Sequence, residues 1–593
     1  MKFGYGISDF GKIIRNGYFY QDRTALIPTL ESAGEQLIFI RPRRFGKSLL
    51  LSMLGYYYDV NYTQEFDTLF GYLAIGKEPT PSHNQYLIMK WDFSLIKSSG
   101  DVDDIEQTIH EHLNDCIKEF AIRYKTILVS DIEISANALS SFRSALLAIN
   151  STAYKIYLLI DEYDNFANEV LTTRNTQYKA LLHGEGLLKT VFKAVKAAAS
   201  GQGLDRVFIT GVSPVVLSDM TSGYNVATSI YLEPKFNELC GFTETELTDI
   251  LHNLSLDTEQ QSHALSLMRT FYNGYRFSTK SETTVYNPTL TLYFLKQLQE
   301  NGSYPEFMLD ENLSMDRNKL AYISKLPHGE EVLIKALSGG DSVVIPQLAR
   351  RFGVEDMLTA VKDETFMVSL MYYFGILTFS GHAEYGEKIL KIPNLVAKSL
   401  YVERLQEMLL PEYEDKSDIR KVAKTFCMTG NLQPLCEFLE NRYLPILSNR
   451  DYRWSNELII KIAFMTLLFN DNIYMMLSEA EADRGYVDLS LIVRPDMRQF
   501  QALDLVLEFK YIGLKELGMT GAELKSLSRE DLAELPLVKL KLDEANAQAT
   551  DYAKSLSERY QLSEIRAFSV VALGFERVVW CKVSANGVTV ISA

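Results

Sequence analysis

The chain of 593 residues is poor in the features that would place it in several common classes. It has five cysteines, Cys116, Cys240, Cys427, Cys436 and Cys581, and no two of them form a CxxC pair. An odd, dispersed set reads as reduced thiols and excludes a disulfide framework or a cysteine-built zinc site. The eight histidines include no H-E-x-x-H spacing, so zinc hydrolysis has no ligand set. No apolar run is long enough to span a bilayer; the run 459–469 is short and Lys461 interrupts it. The first residues, MKFGYGISDFGKIIRN, lack the apolar core of a secretion signal. Positive charge is also scarce. The formal net charge of -16 excludes a general coat for nucleic acid, while a local basic groove stays compatible because affinity follows the phosphates contacted. Ser213, in Gly-Val-Ser-Pro-Val, lacks the second glycine of a nucleophile elbow. The expectation is a cytoplasmic protein with no membrane role and roughly three to five domains.

What is present is ordinary globular composition, 47% hydrophobic and 23% charged, with a clear order along the chain. Apolar runs at 36–40, 86–93, 155–160 and 206–210 alternate with helical patterns. This predicts an α/β domain with a doubly wound parallel sheet over 1–235. Residues 236–300 read as a helical lid, in which Thr243 and Glu246 suit the N-cap and N3 positions of a capping box. Residues 301–445 are a mostly helical connector with β-flavoured patches at 372–380 and 388–392. Residues 446–593 return to helix, strands, helix and strands.

The first run leads into Arg41-Pro-Arg-Arg44-Phe45-Gly46-Lys47-Ser48-Leu49, a loop opening a helix. Backbone N–H groups there can face phosphate oxygens, Lys47 can neutralise β and γ phosphates, and Ser48 can join an Mg²⁺ shell. Arg41 stands where the G-x-x-x-x-G-K-[ST] loop has its first glycine, a position that a side chain fills less easily if the backbone is left-handed. A helix that merely begins Gly-Lys-Ser is the plain alternative. The run at 155–160 ends in Asp161 and Glu162, where parallel sheets hold ligands. Asp161 is the candidate Mg²⁺ holder and Glu162 the base for an attacking water. Thr210 or Ser213 could polarise that water as a sensor, or simply end a strand.

Arg41-PRRFGKS, Leu159-IDEYD, Tyr272-NGYRF-Ser278 and Val285-YNP resemble the prokaryotic AAA-ATPase-like family, whose phosphate loop commonly reads RPRRFGKS. The segment Phe19-Tyr20-Gln21-Asp22-Arg23-Thr24 resembles that family's start, with mild departures at Gln21 and Arg23. The resemblance implies ATP and Mg²⁺ as cofactors and Arg276 as a lid arginine near the nucleotide. Read bottom-up, Arg276 is equally a salt-bridged surface residue. A homo-oligomer would need an arginine from a neighbouring subunit, and the adjacent Arg350 and Arg351 are the candidates.

Near the C-terminus, Asp488 opens one apolar strand and a second carries Glu508-Phe-Lys510. Period-two alternation puts Glu508 and Lys510 on one face, and a hairpin would bring Asp488 beside them. Two carboxylates and a lysine suit a hydrated Mg²⁺, or Mn²⁺, acting on a phosphodiester. The plain alternative is an amphipathic hairpin with a solvated edge. The arrangement resembles the PD-(D/E)XK nuclease module that follows the ATPase domain in the same family. By that resemblance Asp488, Glu508 and Lys510 are the catalytic core, and Asp488 and Glu508 the metal ligands. Glu457 is then the first-helix acid, Glu481 an upstream acid, and Gln548 with Tyr552 the supporting helix. The connector resembles a winged-helix-like fold. Two functions follow from different classes. One is a nucleotide-controlled nuclease acting on nucleic acid, DNA as the expected form; the other is a nucleotide-switched binding or signalling protein whose nuclease fold only docks.

Overall fold

The computed structural model describes residues 1–96, 102–165, 187–214, 224, 226–309, 317–338, 343–349, 352, 362–409, 413–445, 457–477, 480–482 and 485–583. The chain divides into two compact units. The first is Met1–Pro305 with Asn312–Gly329 and Val344–Pro393, and the second is Glu306–Glu311 with Glu330–Val343 and Asn394–Ala593. The lid segment 236–300 falls in the first unit, and the connector 301–445 is shared between the two. Arg350 and Arg351 lie outside the described residues.

Five parallel strands build the first unit's main sheet: β1 (Gln36–Ile40), β2 (Tyr86–Asp92), β3 (Lys155–Asp161), β4 (Leu204–Gly211) and β5 (Thr228–Ser229). Their order is β2-β3-β4-β1-β5. The apolar runs of the sequence are these strands to within two residues. They read as near-continuous hydrophobic stretches because helices, among them Lys47–Tyr58, Ala138–Asn150 and Leu187–Ala199, pack on the sheet. The order has a direct consequence for chemistry. Strand β4 lies between β1 and β3, pairing Phe39 with Thr210 on one side and Ile160 with Ile209 on the other. The loop after β1 and the carboxylates after β3 therefore face each other across the end of β4.

The helix Glu244–His252 begins with the expected capping box, Thr243 and Glu246 satisfying each other's backbone N–H groups. Two short sequence motifs have local causes. Gly274 adopts φ 106°, and a Cβ there would stand 2.0 Å from the Pro393 carbonyl oxygen, so only glycine fits. Asn287 accepts from the N–H groups of Thr289 and Leu290, and Pro288 opens the helix Pro288–Asn301.

After the short strand β6 (Val343–Ile345), the helix Glu364–Tyr373 precedes an antiparallel hairpin of β7 (Thr378–His382) and β8 (Lys388–Lys391). The β-flavoured patch expected at 372–380 starts later: Tyr372 and Tyr373 close the helix, and the strand begins at Thr378. That helix is buried from Phe366 to Tyr373, and a helix apolar on every side loses the period that distinguishes it from a strand.

The second unit carries a mixed sheet of β9 (Tyr474–Leu477), β12 (Leu489–Val493), β13 (Leu505–Ile512), β14 (Arg566–Leu573) and β15 (Arg577–Val583). The order is β15-β14-β13-β12-β9, with only the central pair β13–β14 parallel. A small hairpin of β10 (Ala480–Ala482) and β11 (Gly485–Val487) leads into β12. The helix Glu457–Leu468 packs on β13, where Phe464 meets Phe509 at 5.0 Å between ring centroids. The 25-residue helix Pro536–Tyr560 lies across β13 and β14. Among the described residues no helix is long and apolar enough to cross a membrane.

Candidate functional site

The loop between β1 and the helix Lys47–Tyr58 has the expected phosphate-cradle form. Gly46 is left-handed, φ 83°, and no side chain caps the helix, so the first-turn N–H groups are offered outward. The first loop position, Arg41, needs no glycine. The left-handed non-glycine residue is Arg44, φ 65°, whose carbonyl accepts from Thr289 Oγ1 at 2.8 Å. Arg41 instead is 1% exposed and anchors the loop from below. Its guanidinium donates to the carbonyls of Ile40, Tyr231 and Phe236 and lies against the rings of Phe39 and Phe277. Lys47 is 4% exposed, and its Nζ rests 3.1 Å from the carbonyls of both Arg41 and Pro42. Burial lowers its pKa against the opposing pull of Glu162, Asp161 and Asp164.

Ser48 Oγ donates to Asp161 Oδ2 at 2.6 Å, which joins the two halves of the constellation. Asp161 Oδ1 accepts from Thr210 Oγ1 and, at 3.0 Å, from the Glu162 N–H. Thr210 is thus committed to the carboxylate at the strand end, made reachable by the intervening place of β4. Glu162 is left-handed, φ 49°, and burial raises its carboxyl pKa, with Asp161 and Asp164 adding to the rise and Lys47 opposing it. The sensor expectation for Ser213 is not met. Its N–H and hydroxyl both donate to Asp164 Oδ2 at 2.7 Å, while Asp164 Oδ1 takes the Val212 N–H at 3.0 Å. Ser213 braces the turn after β3 and is spent there.

Arg276 also departs from expectation. Strand-like alternation sends Tyr275 and Phe277 onto Phe45, at 4.8 and 5.2 Å between centroids, and turns Arg276 the other way. Its Nη1 donates to the Ser380 carbonyl at 3.2 Å, so it holds the hairpin and not the loop. Beside Phe45, Gly46 and Leu49 lies an apolar cavity of about 90 Å³ that motif reading missed. The segment Phe19–Arg23 forms one wall, and Cys240, Gly241 and Phe242 another. Arg23 fixes that wall by bonding Glu246 and the Gly241 carbonyl.

In the second unit β12 and β13 pair antiparallel with Leu489 opposite Leu507, so Asp488 and Glu508 are neighbours. Asp488 Oδ2 accepts the Phe509 N–H at 2.9 Å. Lys510 Nζ donates to Glu508 Oε1 at 2.9 Å and stands 3.9 Å from Glu457 Oε1. The three core residues and the first-helix acid thus come together. Tyr552, 9% exposed on the long helix, has its phenol pKa raised by burial and then by the charges of Glu508 and Asp488. Gln548, one turn earlier, is exposed. Glu481 sits on β10 opposite Tyr486, and its side chain lies outside the described residues. Sequence reading missed Lys461, 3% exposed, with Nζ 3.8 Å from Asp488 Oδ1. The signal was available: it is the only charge after Glu457 in an otherwise apolar helix, four residues on.

Whether these groups suit a divalent cation can be tested on their hydrogen bonding. Glu508 is 3% exposed, and its Oε2 is buried without a hydrogen-bond partner. Burial and then Asp488 push its carboxyl up to about 8, against the pull of Lys510. A buried acceptor left unsatisfied beside a second carboxylate is what a cation would relieve. Among the described residues no group of three or more His, Cys, Asp or Glu side chains forms a metal cluster. A pair of carboxylates completed by water is nonetheless the Mg²⁺ preference. The residues fit the ion.

Two family models match segments of the chain that contain these residues. Residues 4–221 match the family described as "Predicted AAA-ATPase", and residues 455–580 match the PD-(D/E)XK nuclease superfamily. An uncharacterised protein from the vnfD 5' region of Azotobacter chroococcum mcd 1 is 27% identical over 430 residues, covering 69% of this chain and 70% of that protein. Among solved structures, the Aeropyrum pernix ORC1 protein in complex with DNA aligns at 10% identity and a TM-score of 0.24, covering 66% of this chain and 92% of that one. The Aeropyrum pernix ORC2 protein aligns at 12% identity and a TM-score of 0.30, covering 66% and 93%. The chain therefore carries a segment similar to an ATPase-like family, followed by one similar to a nuclease superfamily.

Proposed function

From that pairing, we propose that the first unit binds and hydrolyses ATP with Mg²⁺, and that the second cleaves nucleic-acid phosphodiester bonds under nucleotide control. In the first unit Lys47 would exchange the Arg41 and Pro42 carbonyls for β and γ phosphates, and Ser48 and Asp161 would hold the cation. Thr210 keeps Asp161 oriented. Glu162, whose carboxyl burial pushes up and which stands at the strand end, takes the proton of the attacking water. The apolar cavity beside Phe45 and Leu49 accepts the base, with Phe19–Arg23 as its wall.

In the second unit a divalent ion held by Asp488 and Glu508 would acidify a bound water and offset charge on the scissile phosphate. The protein's own part is positional. Burial acts to lower the Lys510 pKa, but Glu508 and Glu457 outweigh it and hold it raised, so Lys510 stays an ammonium that orients nucleophile and phosphate. The expected substrate is DNA, and a locally basic approach must overcome the net charge of -16.

The observation that carries the nuclease reading is the 2.9 Å bond from Phe509 N–H to Asp488, which locks that carboxylate beside Glu508 and Lys510. The test is cleavage of single- and double-stranded DNA and RNA with Mg²⁺ or Mn²⁺, with and without ATP, by the native protein and Lys510→Ala. Cleavage that the variant lacks supports the enzyme. Equal behaviour of the two supports the rival reading, a nucleotide-switched docking protein.

A further inference from the structure

The helix Glu457–Leu468 presents to the carboxylate pair a lysine that the reaction above does not use. Lys461 stands one helical turn after Glu457, so both side chains project from one face. The remainder of that helix from Ile459 to Leu468 is buried and, apart from Thr466, apolar. An ammonium in such surroundings is costly to desolvate and persists only where an anion answers it. Asp488 is such an anion, with Oδ1 3.8 Å from Lys461 Nζ and Oδ2 tied to the Phe509 N–H. Lys510 covers Glu508 Oε1 and approaches Glu457. Glu508 Oε2 remains the buried oxygen without a partner.

The charges decide how many ions such a centre takes. With Glu508 ionised, as binding of a cation requires, Glu457, Asp488 and Glu508 against Lys461 and Lys510 leave one net negative charge. A single divalent ion turns this into one positive charge, which matches the single negative charge of a phosphodiester. A second ion would leave three positive charges. It would also have to sit on the Asp488 side that Lys461 already occupies, since paired metal ions in such centres stand about 3.5–4 Å apart.

We propose that Lys461 is a positioning residue that serves as the fixed second cation of this centre, holding Asp488 and reserving the site for one divalent ion. The proposal rests on the reading that Asp488 and Glu508 bind such an ion. The test is Mn²⁺ binding to the full-length, nucleotide-free chain, followed by calorimetry and electron paramagnetic resonance at one pH and ionic strength. Ions lost on Glu508→Ala are counted as those of this centre. The native protein is expected to hold one. Lys461→Met, which keeps the apolar packing and removes the charge, is expected to hold two, and Lys461→Arg one. Lys461→Gln repeats the count should the methionine variant fail to fold. A count of one in the neutral variants, or of two in the native protein, overturns the proposal while leaving the metal reading intact. A native protein with no Mn²⁺ that Glu508→Ala removes overturns both. A lysine that only filled space would leave the count unchanged on replacement by methionine.

Discussion

Ser48 donates its hydroxyl hydrogen bond to Asp161 at 2.6 Å across 113 residues of sequence. The bond exists because β4 lies between the strands that lead to the two residues, with Thr210 as the third member. It ties the phosphate loop to the carboxylate strand before any nucleotide arrives.

Replacing Lys47 by alanine removes the one ammonium buried in the loop. ATP affinity measured by calorimetry is expected to fall about tenfold to a hundredfold, the range of a charge-assisted bond of about 1.5–3 kcal/mol. Ser48→Ala is expected to keep most affinity for ATP alone and to lose the enhancement by Mg²⁺. Equal Mg²⁺ enhancement in that variant would remove Ser48 from the cation shell.

Arg41→Gly restores the common phosphate-loop pattern, yet it should harm the protein. The guanidinium answers three carbonyls in a buried position, and deleting it removes all three bonds, although the Phe236 carbonyl keeps the Leu239 N–H at 3.3 Å. The expected loss is about 3 kcal/mol or more of stability in urea unfolding. A variant as stable as the native protein would show that Arg41 is not an anchor.

Glu508 makes stability depend on pH in a particular direction. Its folded pKa, about 8, lies above the ordinary 4.5, so its contribution is complete below about 4.5 and is lost as pH rises through about 8. Glu508→Gln cannot ionise and escapes that loss. Without metal, the variant is expected to match the native protein near the low end and to exceed it above pH 8 by a few kcal/mol at most. Added Mg²⁺ should stabilise the native protein more than the variant and narrow the gap. Parallel pH curves for the two proteins would contradict this account.

Gly274→Ala tests a backbone constraint near the hairpin. With φ 106° and a Cβ placed 2.0 Å from the Pro393 carbonyl oxygen, the chain must shift. A loss of about 3 kcal/mol or more is expected from urea unfolding. Gly302, also left-handed but with open space around its Cβ position, should lose only about 1 kcal/mol with alanine.

Much of the site was legible because its chemistry is local. Gly46-Lys47-Ser48 follows a buried strand, Asp161-Glu162 ends another, and Glu508-Phe-Lys510 alternates on a third. Each pattern is set by the period of one element, and strand and helix periods do not depend on distant neighbours. Ser213 and Arg276, each open to two readings in the sequence, differ for the opposite reason. A hydroxyl or guanidinium can serve many partners, and which one it meets is settled by other segments, Asp164 for the first and Ser380 for the second. Lys461 looked like an interruption of an apolar helix because its answering carboxylate is on another strand.

By itself, then, the sequence determined the elements, the residue types at their ends and the capping of helices, all of which follow from short-range sterics and hydrogen bonding. Tertiary structure decided which of those ends meet. The β2-β3-β4-β1-β5 order brought Asp161 to Ser48, and the β12–β13 register brought Asp488 to Glu508. It also decided the place of Arg41, whose partners Tyr231 and Phe236 lie 190 and 195 residues away. Hydrogen bonds and charges act over a few ångströms of space, and at these sites that space is filled by residues far apart in the chain.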